Sequence, residues 1–401
     1  MVYRKALKSV KHEKRHTKLD ITNTLVLLVL LTLSCIMVYS ASMIGNKYGI
    51  FTSSVPVETT YFLKRQAIWA VLSFVTFIFI SVAIPFEVFR DKNILQYGFF
   101  AMVILLVIPF ASSSINGARS WIRLGALSFQ PSTLAQLFII IYMAFILETR
   151  KDKLRQVCTS NELVNIFWIP LFLIAIIFFQ NDTGMMLITL SVVGIMTLCS
   201  NMHFKNIKRL LTLAVMAIVI VVILLFVKSA FSSGSSYRTN RIKVFLNPFS
   251  EDLSAAADQV INSYIAFGNG GLFGRGLGNS IQKLGYLPEA HTDFILAIIA
   301  EELGLVGVLF VIGLLTALIC RVIIAGTKSR NTFAAMYCIG FASLLVVQSV
   351  VNIGGVTASI PMTGVPLPFV SNGGSSMLIL SIGLGMATNV LAHVKYIRGN
   401  K

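Results

Sequence analysis

The sequence predicts an all-α polytopic membrane protein with ten transmembrane helices, both termini in the cytoplasm and a large outer loop between the seventh and eighth helices. Of the 401 residues, 56% are hydrophobic and 12% are charged, against about 25% charged residues in ordinary soluble domains. Ten apolar runs reach or approach the ~20 helical residues that cross a bilayer core. Lysine and arginine concentrate in alternate loops, and this distribution sets the orientation.

The ten apolar runs define the predicted spans. In chain order they are 21–43, 66–86, 94–112, 132–148, 163–179, 184–201, 208–229, 293–320, 332–354 and 374–394. The first run follows a basic segment, as a signal peptide does, but it exceeds the ~7–15 apolar residues of such a peptide, so we interpret it as an uncleaved span. The expected organisation is a basic N-terminal segment (1–20), one membrane domain (21–394) with an outer loop at 230–292, and a short basic tail (395–401).

The net charge of +17 arises mainly from segments that this topology places on one side of the membrane. Those segments are the amino terminus, 87–92, 149–162, 202–209, 321–330 and the tail from His393. Cytoplasmic loops of membrane proteins carry such an excess, which also contacts anionic lipid. Membrane contact therefore explains the charge better than nucleic-acid binding, and no nucleic-acid partner is expected.

Nine basic residues depart from this distribution, because they fall in the predicted outer loops. Contact with lipid headgroups would account for one or two of them. Cations that line an outward cavity suit a ligand that carries a diphosphate. The nine are Lys64, Arg65, Arg119, Arg123, Arg238, Arg241, Lys243, Arg275 and Lys283.

A cluster of ionisable residues ends the longest outer loop. Glu289, His291 and Asp293 lie within five residues, immediately before an apolar run. Such groups are costly at a membrane boundary and therefore indicate a site. Asp293 is predicted to begin the helix, with Thr292 as the candidate N-cap. The helix dipole favours the ionised carboxylate and burial favours the neutral acid, an opposition that can produce a base usable near neutral pH. These residues alone support a role for Asp293 as a helix cap about as well as a role as a base.

Two further acids, Glu301 and Glu302, lie deeper in the same run. On a continuous helix Glu301 would lie about 12 Å further in than Asp293 and about 80° round the axis, with Glu302 about 180° round, so only Glu301 could share a cavity with Asp293. We favour a structural role for the pair, held by a cation or by the backbone of a neighbouring helix. His291, the one histidine of the predicted outer face, either orients the acid, binds substrate or packs as a polar side chain. Its spacing from the acids fits no strong metal-ligand motif.

Three outer segments combine glycine, proline and polar residues unusually densely. The glycine string at 268–278 contains Gly-x-Gly-x-x-Gly matches, but no strand precedes it, so we predict a close-packed, partly re-entrant turn and not a dinucleotide site. The segment 116–132 leads into the fourth predicted helix, and 361–376 leads into the tenth. Proline and glycine at this density forbid a regular helix and predict shaped loops.

These segments resemble the SEDS family (shape, elongation, division and sporulation) of cell-wall polymerases, which includes FtsW, RodA and SpoVE. The similarity covers nearly the whole chain. It rests on 116–125 with Gln130-Pro131-Ser132, on the outer segment 237–304 and on 361–376. The form of 282–293, with Gln-Lys followed by Tyr-Leu-Pro-Glu-Ala-His-Thr-Asp, is most similar to the division branch, FtsW.

The resemblance implies a peptidoglycan glycosyltransferase that polymerises lipid II on the outer face of the bacterial cytoplasmic membrane, for septal wall synthesis in cell division. It implies Asp293 as the catalytic residue and functional importance for Trp121. Asp293 would act as general base on the 4-hydroxyl of the incoming disaccharide, and undecaprenyl diphosphate would leave. The full set of expected substrate-binding residues is Trp121, Arg119, Arg123, Lys64, Arg65, Arg241, Lys283, His291, Glu289 and Ser371.

The implied partners are lipid II, the growing glycan strand, a cognate class B penicillin-binding protein (a transpeptidase), other divisome membrane proteins and membrane lipid. No protein metal site is expected, and no cofactor is certain. A divalent cation, Mg²⁺ or Mn²⁺, remains an option for assisting the diphosphate.

Three alternative functions stay open at this point. A lipid II flippase would use the same polar cavity and cations, but it would need polar access from the cytoplasmic leaflet, whereas the intramembrane acids cluster near the outer end. A polymerase of the elongation (RodA) type would share the chemistry. A division scaffold would recruit the transpeptidase and would not need Asp293.

Overall fold

The computed structural model describes residues 19–51, 55–111, 118–124, 127–213, 244–249 and 255–399. The main helices within these ranges are α1 (Ile21–Lys47), α2 (Tyr61–Ala83), α3 (Lys92–Val107), α4 (Pro131–Thr149), α5 (Ser160–Phe179), α6 (Thr183–Cys199), α7 (Ala255–Gly270), α8 (Ile295–Lys328), α9 (Thr332–Val356) and α10 (Ser375–Gly399). Two short strands, β1 (Ile122–Leu124) and β2 (Leu127–Phe129), pair antiparallel with Arg123 opposite Ser128. This hairpin is not among the sequence predictions.

Eight of the described helices are long and apolar enough to cross a membrane: α1, α2, α3 with its 3-10 extension to Ala111, α4, α5, α8, α9 and α10. The apolar helix α6, with 17 residues, is shorter. The predicted span 208–229 lies mostly outside the described residues, which include only a helical start at 204–213. The predicted helical membrane architecture is thus confirmed, and the full number of ten spans stays a prediction.

The centre of the bundle is formed by α4, α9 and α10. Within their apolar windows 78%, 67% and 83% of the residues are buried, against 22% for α3 at the periphery. Small residues allow these helices to approach closely, as is usual inside membranes. Gly340 of α9 faces Met196 and Ile140, and Gly383 of α10 faces the ring of Phe341, each with no space for a side chain.

Two ion pairs join segments that the topology assigns to the cytoplasmic side. Arg321 donates to Asp20 at 2.5 Å, and Arg90 pairs with Glu148 at 2.8 Å. Asp20, Arg90 and Glu148 lie at helix ends or in the turns beside them, and Arg321 lies about two turns before the end of α8. The structure therefore brings together, at one end of the bundle, segments that the charge pattern places on one side.

The helix α8 is broken at Gly304, whose φ of 69° and ψ of −168° are not helical. In an unbroken helix the N–H groups of residues 305 and 306 would bond to the carbonyls of residues 301 and 302. The glycine-rich loop after α7 replaces these partners on both sides of the break. The four bonds run from Arg275 N to Glu301 O (2.9 Å), Gly276 N to Glu302 O (3.0 Å), Leu305 N to Gly271 O (3.0 Å) and Val306 N to Leu272 O (3.2 Å).

This arrangement explains the glycine string. Backbone groups inside a membrane protein must find partners within the protein, and the loop supplies them only because it packs directly on α8. A side chain at Gly270 would clash with the backbone of Ala300, and one at Gly274 would clash with the backbone of Glu302. The close-packed turn predicted at 268–278 is confirmed, whereas the break at Gly304 is not anticipated from the sequence.

We expect Gly304→Ala to destabilise the protein by about 1–3 kcal/mol, because the added methyl group clashes with the backbone of Gly274 and Leu272 and the positive φ is strained. Gly313→Ala is the matched control in the same helix, since a methyl group there meets nothing within 4 Å. The measurement is the midpoint of thermal unfolding in detergent. Equal midpoints for the two variants would contradict the role assigned to the break.

Candidate active site

Three segments meet at the predicted outer end of the bundle: the hairpin segment 118–132, the turn between α5 and α6, and the proline-rich segment before α10. The N–H of Arg119 donates to the carbonyl of Gln180 at 2.8 Å. The N–H of Gln130 donates to Ser375 Oγ at 3.2 Å. Gly184 lies directly against the carbonyl of Thr363, where an added Cβ would be 3.0 Å away. The segments that carry the sequence resemblance are therefore neighbours.

Asp182 lies at the junction of these segments, although it is not among the predicted site residues. Its Oδ2 accepts from Gln130 Nε2 at 2.8 Å and from Ser132 Oγ at 3.5 Å, and its Oδ1 accepts from the N–H of Met185 at 3.2 Å. Burial raises the pKa of Asp182, against the opposing effect of these hydrogen bonds and one from Ser120. The sequence does contain a signal for Asp182, because it is an acid immediately before an apolar run, as Asp293 is.

Asp293 lies in a turn that precedes α8 and not in the helix itself. The helix begins at Ile295 with Phe294 at the N-cap position and no side-chain capping bond. The predicted helix start at Asp293 and the predicted cap at Thr292 are therefore wrong. Thr292 Oγ1 instead donates to Glu289 Oε2 at 2.6 Å, and the N–H of Phe294 donates to the carbonyl of Glu289 at 3.1 Å. The N-cap position itself is therefore taken by Phe294 and not by Thr292 or Asp293.

The Asp293 turn is attached to the proline-rich segment through two asparagines. Asn352 Nδ2 donates both to the carbonyl of Asp293 at 2.9 Å and to the carbonyl of Val365 at 2.8 Å. The N–H of Asn372 donates to the carbonyl of His291 at 3.0 Å. These bonds hold the backbone of the turn, while the side chain of Asp293 is partly exposed. Because Val365 also packs against Gly184, the turn and the hairpin segment border one surface.

Glu302 is paired inside the protein. Lys283 Nζ lies 2.7 Å from Glu302 Oε1, with side-chain exposures of 1% and 0%, and Ser40 Oγ donates to the same carboxylate at 2.7 Å. A cation from a neighbouring segment thus holds this acid, as predicted. For Lys283 the position differs from the expected substrate-facing one, because its ammonium group is buried and already paired.

Glu301 is held by the loop before the 3-10 turn at Gln282–Leu284. Its carboxylate accepts from Ser280 Oγ, from the N–H groups of Ile281 and Gln282 at 3.2 Å each, and from Asn269 Nδ2 at 3.3 Å. The sequence geometry allowed Glu301 to share a cavity with Asp293, whereas in the structure the loop satisfies its carboxylate, in line with the favoured structural role. Both acids therefore act as structural anchors.

The remaining predicted substrate-binding residues differ in their availability. Arg119 is exposed, Trp121 is half-buried, and Arg65 is half-buried with Nη1 2.8 Å from Tyr61 Oη. Lys64 is exposed but pairs with Glu58 at 2.6 Å, which helps to hold the pKa of Glu58 below its usual value. Glu289 is half-buried in the turn, Arg123 lies in β1, and Arg241 lies outside the described residues.

Two predicted contacts are directed away from solvent. Ser371 is buried, and its Oγ accepts from the N–H of Leu367 at 2.9 Å, so it shapes the proline-rich segment. His291 is also buried. Neither side chain is presented openly to a substrate, in contrast to the sequence expectation.

Among the described residues, no group of three or more His, Cys, Asp or Glu side chains could hold a metal ion. The option of a divalent cation therefore stays a prediction. Mg²⁺ typically binds through one or two carboxylates together with substrate phosphates, and such a site needs no cluster of protein ligands.

Comparison with known proteins finds a matching family model and similar relatives. A family model for cell cycle proteins, named for FtsW, RodA and SpoVE, matches residues 21–396. A probable peptidoglycan glycosyltransferase FtsW of Bacillus subtilis is 34% identical over 371 residues, which cover 91% of this chain and 89% of the relative. One of Haemophilus influenzae is 36% identical over 365 residues, covering 90% and 87%.

Solved structures agree in fold. A chain from a structure on the coordination of polymerisation and crosslinking by a peptidoglycan synthase complex has a TM-score of 0.69 at 23% identity, covering 94% of this chain and 98% of that chain. The rod shape determining protein RodA of Thermus thermophilus has a TM-score of 0.61 at 23% identity, covering 93% and 96%. At this identity the two structures establish the shared fold alone.

Proposed function

The chain belongs to the family of cell cycle proteins that comprises FtsW, RodA and SpoVE, and we propose that it is a peptidoglycan glycosyltransferase that polymerises lipid II into glycan strands. Relatives that are 34% identical over more than nine tenths of the chain are named for this activity. These relatives are named FtsW, the division branch of the family, which supports septal wall synthesis as the biological role. The enzyme would work on the outer face of the cytoplasmic membrane.

The observation that carries the proposed mechanism is the position of Asp293. Asp293 is partly exposed in a turn whose backbone is fixed by Asn352, and the N-cap position of the following helix is taken by Phe294. The two acids deeper in the same run, Glu301 and Glu302, are both engaged in buried contacts. Within the described part of this run, Asp293 is thus the acid best placed to act as a base.

In the proposed reaction Asp293 accepts the proton of the 4-hydroxyl of the incoming disaccharide. An electron pair on the 4-oxygen forms a bond to the anomeric carbon of the growing strand. The bond from that carbon to the diphosphate breaks. The transition state has oxocarbenium character, as in other glycosyl transfers. Negative charge develops on the departing undecaprenyl diphosphate, so fixed cations near it lower the barrier.

Arg65 and Arg119 are the best candidates for these cations. Both belong to segments at the predicted outer end, and among the described residues neither forms an ion pair with an acid, unlike Lys64 and Lys283. Guanidinium groups also match the oxygens of a diphosphate in two-pronged hydrogen bonds. Trp121, two residues after Arg119, supplies an aromatic surface on which a sugar ring can pack.

We expect Arg65→Ala and Arg119→Ala each to lower the rate of polymerisation by about 10-fold or more, because a donor to developing charge is lost. The thermal midpoint should stay near that of the wild type. Lys47→Ala is the matched control, since Lys47 is an exposed cation at the same end of the bundle and lies outside the proposed site. The measurement is the amount of glycan strand formed from lipid II. Unchanged turnover in either arginine variant would exclude that residue as a diphosphate ligand.

We further propose that the chain works beside a class B penicillin-binding protein, its cognate transpeptidase, and other membrane proteins of the division site. Support comes from the structural relative in which polymerisation and crosslinking are coordinated within one synthase complex. The function is tested by supplying lipid II to the purified chain with its transpeptidase and comparing the wild type with Asp293→Ala. Leaflet exchange in liposomes without strand formation would instead favour a flippase.

A further inference from the structure

His291 lies two residues before Asp293, and its ring packs against two phenylalanines that also contact each other, with the ring centroids of Phe51 and Phe62 6.5 Å apart. The ring centroids of Phe51 and Phe62 lie 4.7 Å and 4.4 Å from that of the imidazole. The residue is 6% exposed, and Nδ1 is buried without a hydrogen-bond partner among the described residues. Burial lowers the pKa of His291 to about 4, so the ring is neutral at physiological pH. The imidazole thus packs as a neutral aromatic ring, tilted by 53° against Phe51 and by 42° against Phe62.

The two phenylalanines have fixed positions of their own. Phe51 packs so closely on Gly45 of α1 that a side chain at Gly45 would clash with its ring. Ile50 is bonded by its N–H to the carbonyl of Gly45 at 2.8 Å, and Phe62 belongs to the first turn of α2. The outer ends of α1 and α2 therefore form a rigid socket for the imidazole.

The Asp293 turn is fixed on its other side by backbone hydrogen bonds. The carbonyl of His291 accepts from the N–H of Asn372, and the carbonyl of Asp293 accepts from Asn352. The contacts of the His291 ring with Phe51 and Phe62 add a constraint from the α1 and α2 side of the turn. Loss of the ring would weaken the attachment of the turn on that side.

We propose that His291 is a positioning residue, which fixes the catalytic turn by packing its ring against Phe51 and Phe62 and takes no part in proton transfer or in binding substrate. The proposal rests on the proposed role of Asp293 as general base. Catalytic groups lose efficiency steeply when they shift, with about 100-fold lost for a misplacement of about 1 Å. The shape of the ring, and not its nitrogen atoms, is then what the reaction requires.

The test compares His291→Phe with His291→Ala in lipid II polymerisation. His291→Phe keeps an aromatic plate without ring nitrogens, and we expect kcat within about 3-fold of the wild type. His291→Ala opens the socket, and we expect kcat to fall by about 10- to 100-fold while KM changes by less than about 3-fold. Folded protein in each sample is quantified by the thermal midpoint, so that loss of folding is not counted as loss of rate.

A milder variant and a double variant keep the test decisive if His291→Ala fails to fold. Phe62→Leu reduces one face of the socket and should lower kcat in the same sense. Combining it with His291→Ala should cost less than the sum of the single effects, because the two rings contact each other. Additive losses would count against the socket.

Two results would overturn the proposal: a His291→Phe enzyme as impaired as His291→Ala, which would show that a nitrogen atom is required, or a His291→Ala enzyme with normal kcat. Asp293→Asn is measured in parallel. If Asp293→Asn keeps full activity, the general-base assignment fails by itself, whatever the His291 variants show.

Discussion

Replacing Asp293 with alanine or asparagine should reduce glycan polymerisation by about 100- to 10,000-fold, which is the range that a general base contributes. Asparagine has nearly the same shape as aspartate but cannot accept the proton of the attacking hydroxyl. Folding should be preserved, because the described turn is held through the backbone carbonyl of Asp293 and through Glu289, Thr292 and Phe294. The measurement is strand formation from lipid II by the purified chain with its cognate transpeptidase.

Asp258→Asn is the matched control for this experiment. Asp258 is an exposed carboxylate on α7, in the same predicted outer region, and has no place in the proposed chemistry. Its amide variant should polymerise lipid II at the rate of the wild type. Retention of activity by Asp293→Asn would remove the base assignment. If cells also grew normally with that variant, a scaffold role would become the better explanation.

Removing one partner of the buried pair between Lys283 and Glu302 should cost about 3–5 kcal/mol of stability, because the other charge is left uncompensated inside the protein. Lys283→Met leaves the carboxylate of Glu302 with the hydroxyl of Ser40 as its remaining donor among the described residues. Glu302→Gln leaves a buried ammonium group. The double variant Lys283→Met/Glu302→Gln should recover most of the loss, since neither charge is then present.

The comparison is made by thermal unfolding in detergent. Lys64→Met is the matched control, because Lys64 pairs with Glu58 at 2.6 Å, nearly the distance of the buried pair, but with side-chain exposures of 64% and 61%. Exposed pairs contribute little to stability, so this variant should unfold close to the wild type. A double variant as unstable as the sum of its single variants would show that the buried charges do not act as a pair.

These expectations also revise the set of diphosphate ligands. The sequence places Lys283 among the outer cations because it lies in the same loop as the catalytic turn. In the structure, the ammonium group of Lys283 forms an ion pair with Glu302 and a hydrogen bond to Ser40. A loss of activity in Lys283→Met would therefore be accompanied by a loss of stability, whereas Arg65→Ala and Arg119→Ala should lose activity alone.

Much of the fold was predictable because its signals are local. Apolar runs of about 20 residues identify spans whatever they pack against, and eight of the predicted spans correspond to described helices of sufficient length. The loop charges indicate a common side for the segments that carry Arg321, Asp20, Arg90 and Glu148, and the structure joins these residues at one end. Two of the outer segments with dense glycine and proline, 116–132 and 361–376, also proved to be neighbours.

The sequence by itself determined the membrane class and the positions of most spans, since each follows from composition. It also predicted Asp293 as the leading acid, through a motif that resembles a known family. Only the tertiary structure decided how the ionisable and glycine residues are used. The break at Gly304 depends on a loop some 30 residues earlier, Glu302 depends on Ser40 of α1, and the His291 socket depends on Phe51 and Phe62. These roles depend on the distant groups that pair with a buried charge, accept or donate a backbone hydrogen bond, or pack against a ring. Hydropathy and residue spacing along one segment do not identify those partners.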